Sequence, residues 1–470
     1  MTIWNPELGR APGPVYRAIA RVLEADVRGG KLEPGAQLPT HRALAGWLGV
    51  NVGTVSRAYA ECEKGGWIRG EVGRGTFVRG RGSSRSDDGP AGSASAAPGS
   101  VIDLSANVPV ASPGPDVASA LRALAAEATD TAEGEWLGYR PPEGSLRDRE
   151  AGRIVLAAHG VRVRAEDVVL CAGAQHGLHA SLAAVCRPGE TVAVEELAYP
   201  GFRAAADARG LCVVPVEMDA QGLLPESLEA VCDTSRPRAL YLSPTVQNPT
   251  CSTLPLSRRQ QIADIAQRRD VVIVEDDIHR MLAPEAPPPV SSLAPQTSIY
   301  IASLSKCLAP GLRVGYLAVP EALRARVVEQ VWGSIWMVSP LTAALASLWV
   351  DDGSFERVAA GRRAEALRRQ QLAVEILCGL PGDFRLRTAR VGYHVWLELG
   401  AGWNATAFAN ATRERGVLVS PATAFFLGRG GAPHAVRISL SGASDRARLA
   451  AALGVLVEVA CGATRTRIRL

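Results

Sequence analysis

The sequence predicts an α/β protein with a small N-terminal head, a linker and a large body built on a mostly parallel sheet. Three observations predict this organisation. Residues 1–80 contain three amphipathic helical stretches followed by a short hairpin pattern. Residues 81–100 are rich in Ser, Gly, Ala and Pro and have no apolar periodicity, which is typical of a flexible linker. Beyond the linker, short apolar runs alternate with helical stretches, as in a parallel sheet covered by helices.

Composition and charge narrow the possible functions. The 470 residues are 47% hydrophobic and 21% charged, which is the balance of a globular protein and excludes a disordered chain. The formal net charge is +4, and it resides in the head, where residues 1–80 carry 11 Lys+Arg against 7 Asp+Glu. A basic head on a neutral body predicts that the head binds a polyanion.

Three lysines are present, Lys31, Lys64 and Lys306, so chemistry that needs a lysine amine in the body must use Lys306. Nine cysteines at irregular spacing, without a Cys-x-x-Cys pair, indicate neither a metal site nor a disulfide scaffold.

The uncharged run from Val331 to Val350 has the length of a membrane span. Its internal Gly, Ser, Thr and Pro residues favour a turn into a buried or interface helix. We therefore expect a cytoplasmic protein without a membrane partner.

The head shows the pattern of a winged helix-turn-helix. Val15, Ile19, Leu23 and Val27 form one apolar helix face, and Leu38-Pro39-Thr40 opens a second helix. Asn51 is the expected N-cap of a third helix with Val55, Tyr59 and Cys62 inward. A hairpin then spans residues 67–78. The third helix of this motif enters the major groove through its N-terminal residues. The predicted DNA contacts are Asn51, Thr54, Ser56 and Arg57 on the third helix, Arg42 on the second, and Gly75 at the ribbon.

In the body, six apolar runs predict strands, and a change of pattern near residue 350 predicts a separate lobe. The large domain is expected over 101–345 and a small C-terminal α+β lobe over 346–470, which begins with a long helix from Phe355 to Leu377. Two strand-like runs follow in that lobe, 393–399 and 436–440. The runs predicted for the large domain are 168–171, 191–195, 239–243, 271–275, 298–303 and 314–319.

Residues capable of chemistry follow these runs, where the strands of open α/β sheets bind ligands. Ala174 and Gln175 open a helix whose free N–H groups favour a phosphate. Tyr199 offers an aromatic face, with a purely structural role as an equal alternative. Asp276 suits a pyridine nitrogen, although it could be a helix cap. The further candidates are Asn248, Lys306 and Arg313.

Together these residue types suit an aldehyde cofactor. The lysine forms an imine, the carboxylate keeps a pyridine ring protonated, and an arginine with backbone amides holds a phosphate. Lys306 could be an ordinary surface lysine, but surface lysines are almost absent from this chain.

Residues 14–78 resemble the GntR-type DNA-binding domain throughout. The landmarks appear in the expected order: Pro34-Gly35, Leu38-Pro39-Thr40, Thr54-Val55-Ser56-Arg57 and Gly75-Thr76-Phe77-Val78. This resemblance implies promoter DNA as a partner.

Residues 101–470 resemble the fold-type-I aminotransferases, which implies pyridoxal 5'-phosphate as the cofactor. The match rests on Ser303-Leu304-Ser305-Lys306 with Arg313, on Gln247-Asn248-Pro249-Thr250 and on Glu275-Asp276-Asp277. It implies that Lys306 is the Schiff-base lysine and that Ser303, Ser305 and Arg313 bind the phosphate. It further implies that Arg437 binds a substrate carboxylate, and that Tyr139 reaches the site of the neighbouring subunit. Arg203 is a candidate for a second anionic group, with solvent exposure as the alternative.

A GntR head on such a body resembles the MocR subfamily of bacterial regulators. The resemblance implies a homodimer in a head-to-tail arrangement, with each head over the partner's body, that senses an amino compound or pyridoxal phosphate. Three positions depart from the family pattern. Cys251 replaces a glycine and is expected to crowd a turn and shift Asn248. His279 replaces a tyrosine at a cofactor-binding position. Its imidazole is expected to donate to the phenolic oxygen of the cofactor, and its charge is expected to vary near neutral pH. Arg140 adds a cation near the shared site.

Two further functions stay open at this stage. The catalytic set is present, so the chain could be a working aminotransferase with an attached DNA-binding head. A body that serves as a cofactor-free scaffold is the third alternative.

Overall fold

The structure is a computed structural model in which the chain divides into two compact units, residues 1–89 and 90–470. The predicted linker, 81–100, and the ribbon turn at Gly73-Arg74 lie outside the described residues. The boundaries predicted at 80, 100 and 345 stay predictions. The structure describes residues 4, 6, 14–28, 32, 36–64, 67–71, 75–78, 101–110, 113–127, 136, 138–428 and 430–467.

The head has the predicted three helices and ribbon. Thr40 caps the second helix by accepting from the backbone N–H of Ala43, and Gly49 ends it at a φ of +64°. A short strand that the sequence did not predict, β1, pairs antiparallel with β3, so β3 is central in a three-stranded sheet. The helices are Val15–Arg28, His41–Leu48 and Val52–Lys64, and the strands are β1 (Gln37–Leu38), β2 (Ile68–Glu71) and β3 (Gly75–Val78).

The predicted inward faces of the head helices are buried, with one exception. Ile19, Leu23 and Val27 are at most 8% exposed, and Val55 on the third helix is fully buried. The prediction for Val15 was wrong, because its side chain is 45% exposed. Val15 is the first residue of its helix, and side chains in a helix lean toward the N-terminus, so this one projects past the end of the core.

The body contains a seven-stranded sheet in the order β5 (Val168–Cys171), β13 (Gly315–Ala318), β12 (Ser298–Ser303), β11 (Val272–Asp276), β10 (Ala239–Leu242), β6 (Thr191–Glu195) and β7 (Cys212–Val216). Neighbouring strands in this sheet run parallel, except that β13 is antiparallel to both β12 and β5. The sequence analysis did not predict β7, an edge strand that contains Pro215, and edge strands are where a sheet tolerates proline. The body strands are β4 (Ile102–Asp103), β5 (Val168–Cys171), β6 (Thr191–Glu195), β7 (Cys212–Val216), β8 (Met218–Asp219), β9 (Gly222–Leu223), β10 (Ala239–Leu242), β11 (Val272–Asp276), β12 (Ser298–Ser303), β13 (Gly315–Ala318), β14 (Arg385–Arg387), β15 (His394–Glu398), β16 (Val417–Leu418), β17 (Ser420–Pro421) and β18 (Ala435–Ser439).

Buried apolar clusters cover the seven-stranded sheet on both faces, as its continuously apolar strands require. The C-terminal part of the body has its own sheet, β14-β15-β18-β17, with its own core. The uncharged run 331–350 forms the end of one helix, a turn and a second helix. No helix in the described part of the chain is long and apolar enough to cross a membrane. The body helices are Val117–Glu127, Leu146–Ala158, Ala174–Val185, Pro200–Ala208, Pro225–Ser235, Leu256–Arg269, Val290–Leu293, Glu321–Ile335, Pro340–Asp351, Ser354–Leu377, Ala405–Glu414 and Arg446–Arg467.

Candidate cofactor site and nucleic-acid interface

Lys306 lies just beyond the carboxyl end of β12, beside the end of β11. Its Nζ donates to the backbone carbonyl of Asn107, and its own carbonyl accepts from the hydroxyl of Tyr393 at 2.7 Å. Burial, assisted by the nearby Arg437 guanidinium and opposed by Asp276, lowers the pKa of the Lys306 amine to about 8. A larger fraction of this amine than of an ordinary lysine is therefore unprotonated and nucleophilic near neutral pH, although most of it is still protonated.

Asp276 is the last residue of β11 and is 4% exposed. Its Oδ2 accepts from the hydroxyl of Tyr241 at 2.8 Å, whereas Oδ1 is buried with no partner among the described residues. Burial raises the pKa of Asp276 to about 6, although the Tyr241 hydrogen bond and Lys306 oppose the shift. A buried acceptor without a donor is costly, so Oδ1 indicates a ligand that donates at this point.

Arg437 on β18 brings the C-terminal sheet to the same site. Its Nη1 donates to Oδ1 of Asn248 at 2.7 Å, and its Nη2 donates to the carbonyl of Ser105. The guanidinium carbon lies 4.7 Å from the centre of the Phe425 ring, within range of a cation–π interaction. Asn248 is thereby oriented with its amide NH₂ as the remaining donor.

The helix Ala174–Val185 begins beside Arg313, as expected for a phosphate site. Gly173 caps the helix at a φ of +79°, and a Cβ placed there would lie 2.7 Å from Nη2 of Arg313. That nitrogen donates to the carbonyl of Ala172 at 3.0 Å. The glycine therefore lets the guanidinium approach the backbone at a helix N-terminus, where an anion is favoured.

The side chains of Ser303 and Ser305 lie together at the end of β12, with their hydroxyl oxygens 3.1 Å apart. Ala174 is the first residue of the phosphate-site helix. Gln175 donates from Nε2 to the carbonyl of Gly201 at 2.8 Å, while its buried Oε1 has no partner among the described residues.

The three remaining residues that the sequence predicts to contact the cofactor or effector, Tyr199, Arg203 and Tyr139, have exposed side chains. Tyr199 precedes the helix Pro200–Ala208 and is 37% exposed. Arg203 forms an ion pair with Asp207 on its own helix at 3.2 Å, which accords with the solvent-exposed alternative. Tyr139 is 78% exposed, and its ring centre lies 5.0 Å from that of Trp336.

The structure changes the interpretation of His279. The expectation that its charge varies near neutral pH was wrong, because burial, together with Lys306 and Arg437, lowers its pKa to about 3. The imidazole is therefore neutral at physiological pH.

The structure also shows how the Cys251 side chain fits into its turn. Cys251 takes the left-handed conformation of a glycine, at a φ of +64°, and its thiol donates to the carbonyl of His394 at 3.3 Å. The turn accommodates the side chain, and Asn248 keeps its contact with Arg437.

Four residues of the site escaped the sequence analysis: Asn107, Tyr241, Tyr393 and His394. Each follows or lies within a strand or loop of ordinary composition, and its role depends on contacts with distant segments. Asn107 donates to Nδ1 of His394 across 287 residues at 3.0 Å. Tyr241 alone had a local signal, since it lies two residues before the end of a predicted strand that leads to the site.

The predicted DNA-binding residues cluster at the start of the third head helix. Asn51 accepts from the backbone N–H of Gly53 at 2.8 Å and so caps that helix. Ser56 contacts Nδ1 of His41 at 3.2 Å, which joins the second and third helices. Arg42, Asn51 and Arg57 are exposed and Thr54 is half-buried, while Gly75 begins β3.

The body site fits pyridoxal phosphate on these observations. It has an amine with a lowered pKa, an orphaned carboxylate oxygen suited to a pyridine N–H, and a glycine-cradled arginine at a helix N-terminus suited to a phosphate.

Comparison with known families agrees with this assignment. Residues 99–456 match the family Aminotransferase class I and II, and residues 15–78 match Bacterial regulatory proteins, gntR family. The chain belongs to the MocR-type regulators. In this subfamily a gntR-family head is fused to an aminotransferase-like body of fold type I, and pyridoxal phosphate is the cofactor that the fold binds.

Three relatives illustrate the similarity of this MocR-type chain. It is 31% identical to the HTH-type transcriptional regulator YdeF of Bacillus subtilis, over 93% of this chain and 92% of the relative. It is 28% identical to the HTH-type pyridoxine biosynthesis transcriptional regulator PdxR of Corynebacterium glutamicum, over 82% and 83% of the two chains. The solved structure of LysN, an α-aminoadipate aminotransferase from Thermus thermophilus complexed with N-(5'-phosphopyridoxyl)-L-leucine, superposes with a TM-score of 0.69 at 27% identity, over 78% of this chain and 93% of that chain.

Proposed function

We propose that this MocR-type regulator holds pyridoxal phosphate on Lys306 and senses an amino compound, or the cofactor itself, to control promoter DNA in the bacterial cytoplasm. The observation that carries the proposal is the convergence of Lys306, Asp276, Asn248 and Arg437 at the carboxyl ends of the sheet strands. Among the described residues, Oδ1 of Asp276 has no hydrogen-bond partner there. Bound there, pyridoxal phosphate supplies an aldehyde that reacts reversibly with amines and a ring that acts as an electron sink.

Each residue has a defined part in holding the cofactor. Asp276 would accept from the pyridine nitrogen and keep it protonated, and Asn248 would donate to the phenolic oxygen. Tyr199 would stack on the ring. The phosphate would be held by the N-terminus of the helix at Ala174 and Gln175, by Ser303, Ser305 and Arg313, and by Tyr139 of a second copy of the chain.

Arg437 favours an effector with a carboxylate. The residue is 4% exposed, and its guanidinium lies close enough to Lys306 to lower the pKa of that amine and is held by Asn248 and by the carbonyl of Ser105. A carboxylate that arrives here replaces neutral acceptors with a charged one, which is a stronger bond. An amine on the same molecule would then lie near Lys306. Such a ligand switches the protein only by binding two conformations of the body with different affinity.

A homodimer is supported by an exposed aromatic patch formed by Tyr139, Trp332 and Trp336, which are 78%, 50% and 47% exposed. The rings of Trp332 and Trp336 lie 5.7 Å apart, so the apolar surface is continuous. Contiguous apolar patches of this kind mark protein interfaces. The head-to-tail arrangement is the one that the family resemblance implies.

DNA binding by the head is supported by the exposed Arg42 on the second head helix and the exposed Arg57 on the third head helix, Val52–Lys64. Since phosphate contacts release counterions, affinity for promoter DNA should fall steeply with salt concentration.

The decisive experiment compares promoter binding by the wild type and by Lys306→Ala, each with and without pyridoxal phosphate and a panel of amino acids. We expect the wild type to develop a visible absorbance band with pyridoxal phosphate. Borohydride should bleach this band by reducing the imine, which leaves the cofactor covalently attached to Lys306. Adding the right amine should change the promoter affinity at least about fivefold. Lys306→Arg, which keeps the charge without the reactive amine, is the matched control. Promoter affinity that no ligand alters would contradict the sensor.

A working aminotransferase is the second candidate, because the lowered pKa of Lys306 and the intact cofactor set also suit catalysis. Incubation of the loaded protein with amino and keto acids separates the two. Many turnovers per site support the enzyme, whereas a single half-reaction supports the sensor.

A further inference from the structure

The hydrogen-bonding state of His279 follows from its contacts. Its Nδ1 lies 3.1 Å from the backbone carbonyl oxygen of Val246. A carbonyl oxygen can only accept, so Nδ1 must carry the ring proton. A neutral imidazole has one N–H, and the ring is neutral, so Nε2 carries a bare lone pair. This nitrogen is buried and has no partner among the described residues.

The adjacent histidine does not alter this assignment. The ring of His394 lies 5.6 Å from that of His279. Its Nε2 is 3.1 Å from the carbonyl of Gln247 and must therefore carry the proton, and its Nδ1 accepts from Nδ2 of Asn107. Both nitrogens of His394 are thus committed, and it has no proton to give to His279.

The charges around His279 keep it neutral. Burial lowers its pKa most, Lys306 and Arg437, two cations from other segments, lower it further, and the hydrogen bond to Val246 opposes the shift. The ring of Tyr393 lies edge-on at 6.5 Å and His394 is neutral. On its own segment, Asp277 accepts from the hydroxyl of Thr245 at 3.1 Å, and Arg280 donates to the carbonyl of Pro287.

We propose that His279 offers the pyridoxal phosphate site a hydrogen-bond acceptor, the lone pair of Nε2, and not a donor, so that Asn248 is left to donate to the cofactor's phenolic oxygen. This inference rests on the proposed cofactor site. It reverses the role of a tyrosine at this position, whose hydroxyl can donate.

The consequence is a shift in the titration of the bound chromophore. A donor to the phenolic oxygen stabilises its anion and so favours loss of the neighbouring imine proton, which lowers the pKa of the imine. An acceptor beside the phenolic oxygen does the opposite, because it favours the form of the chromophore that retains the proton shared by the imine nitrogen and the phenolic oxygen. The wild-type imine should therefore stay protonated to higher pH than the same site with a donor at position 279.

The test is a pH titration of the visible absorbance of the full-length, cofactor-loaded protein. His279→Tyr restores a donor and should lower the midpoint by about one pH unit or more, which is a tenfold change in proton affinity. His279→Phe removes the acceptor and should leave the midpoint unchanged or lower it. A midpoint that rises in His279→Phe would overturn the proposal, because it would show that the wild-type imidazole donates.

A second measurement is independent of cofactor loading and of variant folding. Imidazole ¹⁵N spectra of the cofactor-free wild type, once the signals of the seven histidines are assigned, should show His279 protonated at Nδ1 throughout the pH range in which the fold persists. A proton at Nε2 of His279 would overturn the proposal. If the protein instead develops no visible band with pyridoxal phosphate, the cofactor site itself fails, while the tautomer is still decided by these spectra.

Discussion

At the scale of single residues, the site combines groups that are costly to the free protein. Asp276 is a buried carboxylate whose Oδ1 has no hydrogen-bond partner in the described part of the chain, and Lys306 is a buried amine. The pKa of Asp276 is raised and that of Lys306 is lowered, and both shifts favour the neutral form because burial disfavours charge. Such perturbed groups cluster at functional sites because a ligand supplies the missing partner.

The first prediction is that Asp276→Asn stabilises the cofactor-free protein at neutral pH. The folded-state pKa of Asp276 is raised from 3.8 to about 6. Its stabilising contribution is thus complete below about pH 4 and is lost as the pH rises through about 6. The full cost at pH 7.5 is on the order of 3 kcal/mol, at 1.4 kcal/mol per unit. Thermal unfolding between pH 5 and 8 should show the variant's advantage growing with pH.

Tyr241→Phe is the control for that measurement, since it removes the hydroxyl that donates to Asp276 and should destabilise the cofactor-free protein at neutral pH. An Asp276→Asn variant whose relative stability does not change with pH would contradict the assigned burial cost. The same variant should bind pyridoxal phosphate more weakly, because an amide is a weaker acceptor for a pyridinium.

At the scale of elements, parallel strands bring the site together. β11 and β12 end side by side, so Asp276 and the segment after Ser303 meet although about thirty residues separate Asp276 from Lys306. The prediction of strands from apolar runs was confirmed for all six runs, to within one residue at each end. Because ligands bind at the carboxyl ends of such strands, the predicted site residues could be found from the sequence.

The second prediction concerns the recognition helix Val52–Lys64, which Asn51 caps. Asn51→Ala should destabilise the head by about 1 kcal/mol, whereas Asn51→Ser retains a capping oxygen and should be nearly neutral. If Asn51 also contacts a base, both variants should lose promoter affinity. Thermal unfolding of the head and fluorescence anisotropy with promoter DNA measure the two effects separately.

Equal affinity of Asn51→Ser and wild type for the promoter would limit Asn51 to a capping role. Arg57→Ala provides the reference, because loss of a base contact at an exposed arginine should cost about 1–3 kcal/mol of binding without affecting the fold.

At the scale of the whole molecule, the two units have different chemistry. The basic head has its own small core, and the proposed cofactor site of the body lies where its seven-stranded and four-stranded sheets meet, with Arg437 from β18 and Lys306 after β12. Communication between body and head therefore has to pass through a change in body conformation or assembly.

The third prediction tests the assembly. Trp336→Glu places a charge in the exposed aromatic patch and should convert a dimer into a monomer, as measured by analytical ultracentrifugation. Val374→Glu is the matched control, since Val374 is also 47% exposed but lies on the helix Ser354–Leu377. A dimer that persists in Trp336→Glu would show that this patch is not the interface. Loss of the dimer should also weaken pyridoxal phosphate binding, because Tyr139 is proposed to reach the partner's site.

Periodicity was sufficient to predict the head and the sheet, and the order of strands and turns placed Lys306, Asp276, Asn248 and Arg313 at strand ends. Arg437 was indicated by the resemblance to the aminotransferases, and the roles of all five residues stay predictions. The features that the sequence determined are local, because strand patterns and turn motifs are written in neighbouring residues. The tertiary structure alone decided that Arg437 orients Asn248, that Tyr241 holds one oxygen of Asp276, and that His279 is neutral with Nδ1 protonated. Burial and hydrogen-bond partners set those properties, and they depend on segments far apart in the chain.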